Sequence, residues 1–588
     1  MNKYYDKYSN LEIFDSLDLE FAESVLSLSN DPENYDSFLV PAIASRITRL
    51  NSVCFDYTLD KFADDELNDF IKDDINRETC SKFQENKKLP VVMENSKIYL
   101  RRYYEYEKDT ALGILERAGT PETELEYDFI QQIDFLLKSM NVVEDEKRKS
   151  VVNALTRKIT FISGGPGTGK TSLAVIIILL FIKLKLKNNI RPRIALCAPT
   201  GKAAAHLRKS VENSIKSFNS DNLIAEIFKE ELNYIPQKGE TVQKLVGMRK
   251  GSISPKYNEF NQLPYDMIIA DETSMFDLPL MKRFLSAVSF NTSLVFLGDK
   301  DQLASVQAGS VFGDICLQAG AEISLQNQKT FSLRECITFL VRSYRFDPDK
   351  GIGKISKSVN GCDYDAVWSV FDTDKNTKFI EINESSAQKY RNALKEILKN
   401  EIGRYSKENP YVMPADEVNP ELLLDRMRNI QILSALRNGI TGLNVINQLI
   451  EEIFGLSGQI YHGMPLMAIE NDYDMKIFNG DTGIICRDEK LNAYFHGDKE
   501  IRKINPFLLK GYEKAFCMTV HKSQGSEFEN VIFVLPREES PILTKELIYT
   551  AVTRARKNIT IIGSKEIFRS GILKKIQRSS GLAGRLWT

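Results

Sequence analysis

The stretch "FISGGPGTGKTSL", Phe161 to Leu173, constrains the fold more than any other part of the chain. Apolar residues lead into a glycine cluster and resume as a long apolar run, Leu173 to Ile182, which reads as strand, tight loop and helix. Three further apolar segments, "RIALCAPT", "DMIIAD" and "SLVFLGD", alternate with helical patterns after it, so this part should be a parallel sheet with helices packed on it. A second series, "IQILSAL", "AFCMTVH", "NVIFVL" and "NITIIGS", predicts a second α/β unit.

Other segments differ in texture. From about 456 to 510, Gly-rich turns such as "FNGDTGI" separate short alternating runs, the pattern of a small β-barrel or sheet module inserted in the second unit. The Pro-containing stretch 407–420 reads as a surface loop or linker. Before residue 110 the pattern is mainly short helices with charge, including "DDELNDFIKDD", where Asp64, Asp65, Glu66, Asp69, Asp73 and Asp74 repel phosphate and suit either a solvated face or a protein partner. The division expected is an N-terminal docking domain over 1–110, a nucleotide-binding α/β domain over 111–335 and a second α/β domain over 336–588 carrying the insertion.

Charge narrows the way a polyanion would be held. Lys plus Arg number 78 against 80 for Asp plus Glu, so any polyanion would be gripped by a local channel and not by the field of the whole molecule. The eight cysteines form no C-x-x-C pair and only four histidines accompany them, which argues against a structural metal site and for reduced thiols. The N-terminal residues lack an apolar signal core and Leu173 to Ile182 falls well short of a membrane span, so a cytoplasmic protein with no membrane partner is expected.

The glycine cluster itself satisfies G-x-x-x-x-G-K-[ST] with Gly164, Gly169, Lys170 and Thr171, between a strand and a helix as that pattern requires. The loop Gly164, Gly165, Pro166, Gly167, Thr168, Gly169, Lys170, Thr171 and Ser172 would close its backbone N–H groups around the phosphates of ATP, Lys170 reaching the β and γ oxygens and Thr171 ligating Mg2+. Pro166 lacks the donor and only shapes the loop. The strand "DMIIAD" ends on Asp271 and Glu272, which supply a second magnesium ligand and a carboxylate for the attacking water. Gln302, on the loop "GDKDQLASVQAG", is suited to feel the γ-phosphate, while Asp299 and Asp301 beside it serve equally well as caps of a following helix.

Taken in order, "DETSM", "GDKDQLASVQAG", "LVRSYRF", "TVHKSQGSEFENVIFVL" and "YTAVTRARKNITIIG" resemble the motifs of superfamily 1 DNA helicases, and "YLRRYYEYEKDTALGIL" narrows the resemblance to the RecD family. The resemblance implies two RecA-like domains, ATP hydrolysed in the cleft between them and single-stranded DNA across their top. It implies that Arg345 and Arg554 are arginine fingers, and that DNA phosphates meet Pro199, Thr200, Gly201 and Lys202, then Thr241 and Gln243, then Thr519, His521, Lys522, Ser523 and Gln524. Two positions depart from the family. Lys147 stands where a glutamine reads adenine, and Gln243 where a histidine is usual.

The family resemblance further implies 5′→3′ travel in a heterotrimer with RecB-like and RecC-like subunits, the exodeoxyribonuclease V complex of double-strand-break repair. The short region ahead of the motor distinguishes this reading from a stand-alone helicase of the same family, which carries a longer N-terminal extension. A nucleotide-switched subunit that binds DNA ends without moving is the remaining alternative. The sequence has no recognisable nuclease constellation, so exonuclease activity would belong to a partner.

Overall fold

The computed structural model describes residues 13–28, 38–62, 88–140, 144–220, 226–249, 254–305, 307–317, 328–405, 419–472, 474–497, 500–576 and 578–587, with isolated positions 8, 9, 68, 71, 83, 142 and 319. The acidic residues Asp64, Asp65, Glu66, Asp69, Asp73 and Asp74 lie outside the described residues, as do 407–418 of the expected linker.

Helices Ser16–Ser27 and Leu39–Arg49 pack together at the N-terminal end. Beside them β1 (Cys54–Asp56), β2 (Val91–Glu94) and β3 (Lys97–Leu100) form an antiparallel sheet in the order β1-β3-β2, so this region is mixed and not only helical. The expected boundary at 110 falls inside helix Arg101–Ala118. Its buried residues Tyr103, Glu107, Thr110, Ala111, Ile114, Arg117 and Ala118 repeat at helical spacing straight through that point, which is why no break occurs there.

The first α/β unit has six parallel strands, β4 (Ile159–Gly164), β5 (Ile194–Ala198), β6 (Gly239–Thr241), β7 (Met267–Ala270), β8 (Ser293–Gly298) and β9 (Ile337–Leu340), in the order β6-β5-β7-β8-β4-β9. Because β9 pairs with β4, this unit continues past the expected limit at 335. Helix Lys170–Lys187 is buried on every side from Leu173 to Ile182, which explains its continuous apolar run. Among the described residues no helix is long and apolar enough to cross a membrane.

The second unit is a parallel sheet of β10 (Thr377–Glu381), β11 (Ile430–Ser434), β17 (Cys517–Thr519), β18 (Phe528–Val534) and β19 (Ala555–Gly563), ordered β10-β19-β18-β11-β17. The inserted module is an antiparallel sheet of β12 (Pro465–Ala468), β13 (Thr482–Arg487), β14 (Leu491–His496), β15 (Ile501–Ile504) and β16 (Tyr512–Lys514), ordered β15-β14-β13-β12-β16. Its edges β15 and β16 do not pair with each other, so it is an open sheet, and it runs to 514 and not 510.

After helix Lys565–Leu573 the chain leaves the second unit. Arg578 Nη1 donates to the carbonyls of Ser305, Gln307 and Gly309, the Val53 and Cys54 amides donate to Ser579 O, and helix Leu582–Trp587 buries Leu582, Leu586 and Trp587 in the core of the first unit. Arg585 completes the tie by pairing with Glu107 at 2.9 Å and with Glu94. Residues 578–587 therefore belong with the first unit, not with 336–576.

Under this strap Trp587 Nε1 donates to the backbone oxygen of Asp314, whose own carboxyl is buried and pushed up to about 7 by desolvation. The folded state thus holds a proton that the unfolded chain releases near pH 4, so stability falls as pH rises from about 4 to about 7 and the penalty persists above. Asp314→Asn should raise the thermal midpoint at pH 8, by the equivalent of roughly 2 kcal/mol, and leave it unchanged at pH 4. An equal shift at both pH values would contradict the assignment.

Candidate active site

The glycine loop joins β4 to helix Lys170–Lys187. Gly167 and Gly169 have φ of 76° and 87°, left-handed values that side chains disfavour. At Gly167 the constraint is double, because a side chain there would run into Arg345 Cβ. Lys170 Nζ donates to the carbonyl oxygens of Gly164 and Gly165, and Thr168 Oγ1 donates to Gly165 O at 2.8 Å. Thr171 and Ser172 stay accessible at the helix N-terminus, where amides face outward.

Asp271 and Glu272 follow β7, and the Glu272 amide donates to Asp271 Oδ1 at 2.8 Å. Glu272 adopts φ of 52°. Burial pushes both carboxyls up, with the Asp271 charge adding to the rise at Glu272 and Lys170 and Arg554 opposing it. Asp299, at the end of β8, is raised by burial as well. It caps no helix: its Oδ1 accepts from the Asp301 amide at 3.1 Å and its Oδ2 from Gln302 Nε2 at 3.0 Å. Gln302 Oε1 is buried without a hydrogen-bond partner among the described residues.

Both arginines come from beyond the first sheet, Arg345 in the segment after β9 and Arg554 directly before β19 of the second unit. Ser343 Oγ donates to Pro166 O at 3.0 Å and the Tyr344 amide to Gly167 O at 2.8 Å, which seats Arg345 against the loop. Its Nη2 pairs with Glu527 Oε1 at 2.6 Å. Arg554 is buried, its guanidinium aimed by donation to Thr550 O at 3.1 Å and Ser526 O at 3.2 Å.

Lys147 is buried on helix Asp145–Thr156, with Nζ 3.4 Å from Glu144 Oε2 and donating to Tyr344 Oη at 2.9 Å. It also lies 3.6 Å from where a side chain on Gly169 would begin, so it borders the phosphate loop. An ammonium so held presents no paired amide donor and acceptor to adenine. ATP and GTP should therefore be hydrolysed with kcat/KM values within about a hundredfold of each other. A larger preference for ATP would mean that another group reads the base.

The expected DNA contacts fall into two sets across the two units. Pro199 and Thr200 follow β5; Thr200 Oγ1 accepts from the Ala203 amide at 3.2 Å and so caps helix Gly201–Ser220. Lys202 retains some accessible surface yet sits deep enough that desolvation lowers its ammonium to about 8. Thr241 caps the turn Val242–Leu245, and Gln243 beside it keeps Oε1 buried and unpartnered among the described residues. In the second unit Thr519 and His521 are partly accessible, burial lowers the His521 imidazole, and Lys522 Nζ donates to Asn479 Oδ1 at 2.7 Å. The inserted module reaches the other set too: a side chain on Gly201 would meet Phe478 Cβ at 2.7 Å.

Two of the expected DNA contacts turn inward. Ser523 is buried and donates to Val520 O at 2.7 Å; Gln524 is buried and donates from Nε2 to Leu303 O at 3.1 Å. The 3-10 turn Val520–Ser523 rotates successive side chains by about 120°, which separates them from Lys522. Tyr549, Thr550, Glu527 and Glu144 gained no role from the sequence. Tyr549, Thr550 and Glu527 lie inside quoted motifs, whereas nothing in the sequence pointed to Glu144.

The family model described as AAA domain matches residues 147–308, and that of the UvrD-like helicase C-terminal domain matches 514–562. The chain is 31% identical over 495 residues to the RecBCD enzyme subunit RecD of Haemophilus influenzae, covering 78% of this chain and 74% of that one. It is 32% identical over 522 residues to the subunit of the same name from Buchnera aphidicola, covering 83% of each. A solved structure of Pif1 helicases at forked DNA is similar at 16% identity and a TM-score of 0.37, over 77% of this chain and 95% of that one.

Proposed function

The chain belongs to the RecD family of superfamily 1 helicases, ATP-dependent enzymes acting on DNA, and on that premise we propose that it travels 5′→3′ as the alpha subunit of a RecBCD-like complex that processes double-strand breaks. The observation that carries the reading is the meeting at Gly167: phosphate loop on one unit, Arg345 seated against it from the segment leading into the other.

The residues fit ATP with magnesium. Asp271 is buried and Glu272 half-buried, desolvation favours protonation of both, and a divalent cation offsets that cost. Thr171 and Asp271 would hold Mg2+, which when bound neutralises charge on the phosphate oxygens. Lys170 would exchange its two loop carbonyls for phosphate oxygens. Glu272 orients and deprotonates the attacking water, and Gln302 Oε1 is free to accept a hydrogen bond from it. Arg345 leaves Glu527 when the cleft closes, while Arg554 approaches already aimed.

Pro199, Thr200, Gly201, Lys202, Thr241 and Gln243 on one unit and Thr519, His521 and Lys522 on the other would hold single-stranded DNA through its phosphates. Closure then draws one set past the other and hydrolysis reopens them. The N-terminal region would dock on RecB-like or RecC-like subunits in the cytoplasm.

The test is to isolate the chain at its native expression level, identify bound subunits, and assay unwinding of duplexes bearing 5′ or 3′ tails. Recovery in a heteromeric complex with activity on 5′ tails is expected. A lone, processive monomer or a preference for 3′ tails would overturn the reading.

A further inference from the structure

One hydroxyl of the second unit reaches into the first. Tyr549, on helix Lys545–Val552, donates from Oη to Asp299 Oδ2 at 3.0 Å, and both residues are buried. The same Oη lies 3.0 Å from where a side chain on Gly165 would begin, so it faces the phosphate loop as well as the carboxylate. Three residues after Asp299, Gln302 binds the same carboxylate oxygen. The next residue, Leu303, donates its amide to Thr550 Oγ1 at 3.1 Å and receives at its oxygen the Gln524 amide at 3.1 Å. The turn 299–303 is thus held by the helix that carries Tyr549 and by the turn that carries His521 and Lys522.

We infer that Tyr549 is the positioning residue that couples phosphate on the loop to the DNA-gripping turn, by giving its hydroxyl proton either to Asp299 or to a phosphate oxygen beside Gly165. The inference rests on the reading that Gly164–Ser172 hold ATP. A phenol has one proton to donate, so the two acceptors exclude each other. With phosphate present, Asp299 loses that donor and the turn 299–303 can shift, carrying with it the backbone that anchors Thr550 and Gln524. When phosphate leaves, the Asp299 bond re-forms. Such an exchange provides what coupling requires, a contact that differs between the two states.

Tyr549→Phe keeps the ring and removes only Oη. DNA-stimulated kcat should fall about tenfold, several times more than DNA-free turnover falls, in a protein that remains folded. Thr550→Ala, which leaves the Leu303 amide without its acceptor, should give the same split. Combined with Asp299→Asn, Tyr549→Phe should cost no more than the worse single change, because both act through one bond. Undiminished DNA stimulation in both single variants, equal loss of DNA-free turnover, or multiplicative effects in the double variant would each overturn the inference. Failure of the underlying reading shows separately, as near-normal turnover in Lys170→Gln.

Discussion

Lys170→Gln should abolish ATP turnover, with kcat down by at least about a hundredfold and the fold intact. Among the described residues the ammonium hydrogen-bonds to two loop carbonyls, so its removal leaves the loop's backbone in place although Asp271, Glu272 and Asp299 lose a nearby cation. Loop shape survives as well, because it depends on Gly167 and Gly169 and on the amides that open helix Lys170–Lys187. What disappears is a cation placed where negative charge develops between the β and γ phosphates, and a neutral amide supplies far less there. Steady-state ATPase assays with single-stranded DNA check this. Turnover within a few fold of the unmodified enzyme would remove the motor assignment altogether.

Glu272→Gln should separate binding from chemistry: ATP and DNA still bind, yet hydrolysis slows about a thousandfold, as expected when a general base is lost. The position is set by backbone. At φ of 52° Glu272 occupies a conformation that costs a non-glycine residue about 1 kcal/mol, held by the Asp271 carboxylate on its amide. A glutamine keeps that geometry and the size of the side chain but cannot take the proton. Burial and the Asp271 charge raise the carboxyl, which makes it a stronger base than an exposed glutamate. Equilibrium binding of ATP, with a stable ternary complex on DNA, is the measurement, and loss of ATP binding would contradict the division of roles between Asp271 and Glu272.

What the sequence revealed follows the range of the physics involved. The phosphate loop is legible because its geometry demands glycines within a few residues of one another. The strands β5, β7 and β8 are legible because each is a buried apolar run, whereas β10, "TKFIE", has only one fully buried residue and was not distinguished from its surroundings. Strand β9 lies directly after the expected limit of its unit, and only its pairing with β4 assigns it. Ser523 and Gln524 stand beside Lys522 in the family motif, and the tight turn sends them inward. Tyr549 and Asp299 lie in separate units, and a buried pair of that kind leaves no periodic trace in the chain.

The strap of residues 578–587 changes what the second unit is free to do. It leaves the first unit through 341–350 and is returned to it by Arg578 and Ser579, so it is fastened at both ends. A body fastened at one point can swivel in any direction; fastened at two, it keeps rotation about the line that joins them. In the proposed cycle, opening and closing of the two units would thereby be reduced to something like a door on a pair of hinges. Each swing would repeat the same arc, and the stroke length would depend on how far the proposed DNA contacts stand from that axis.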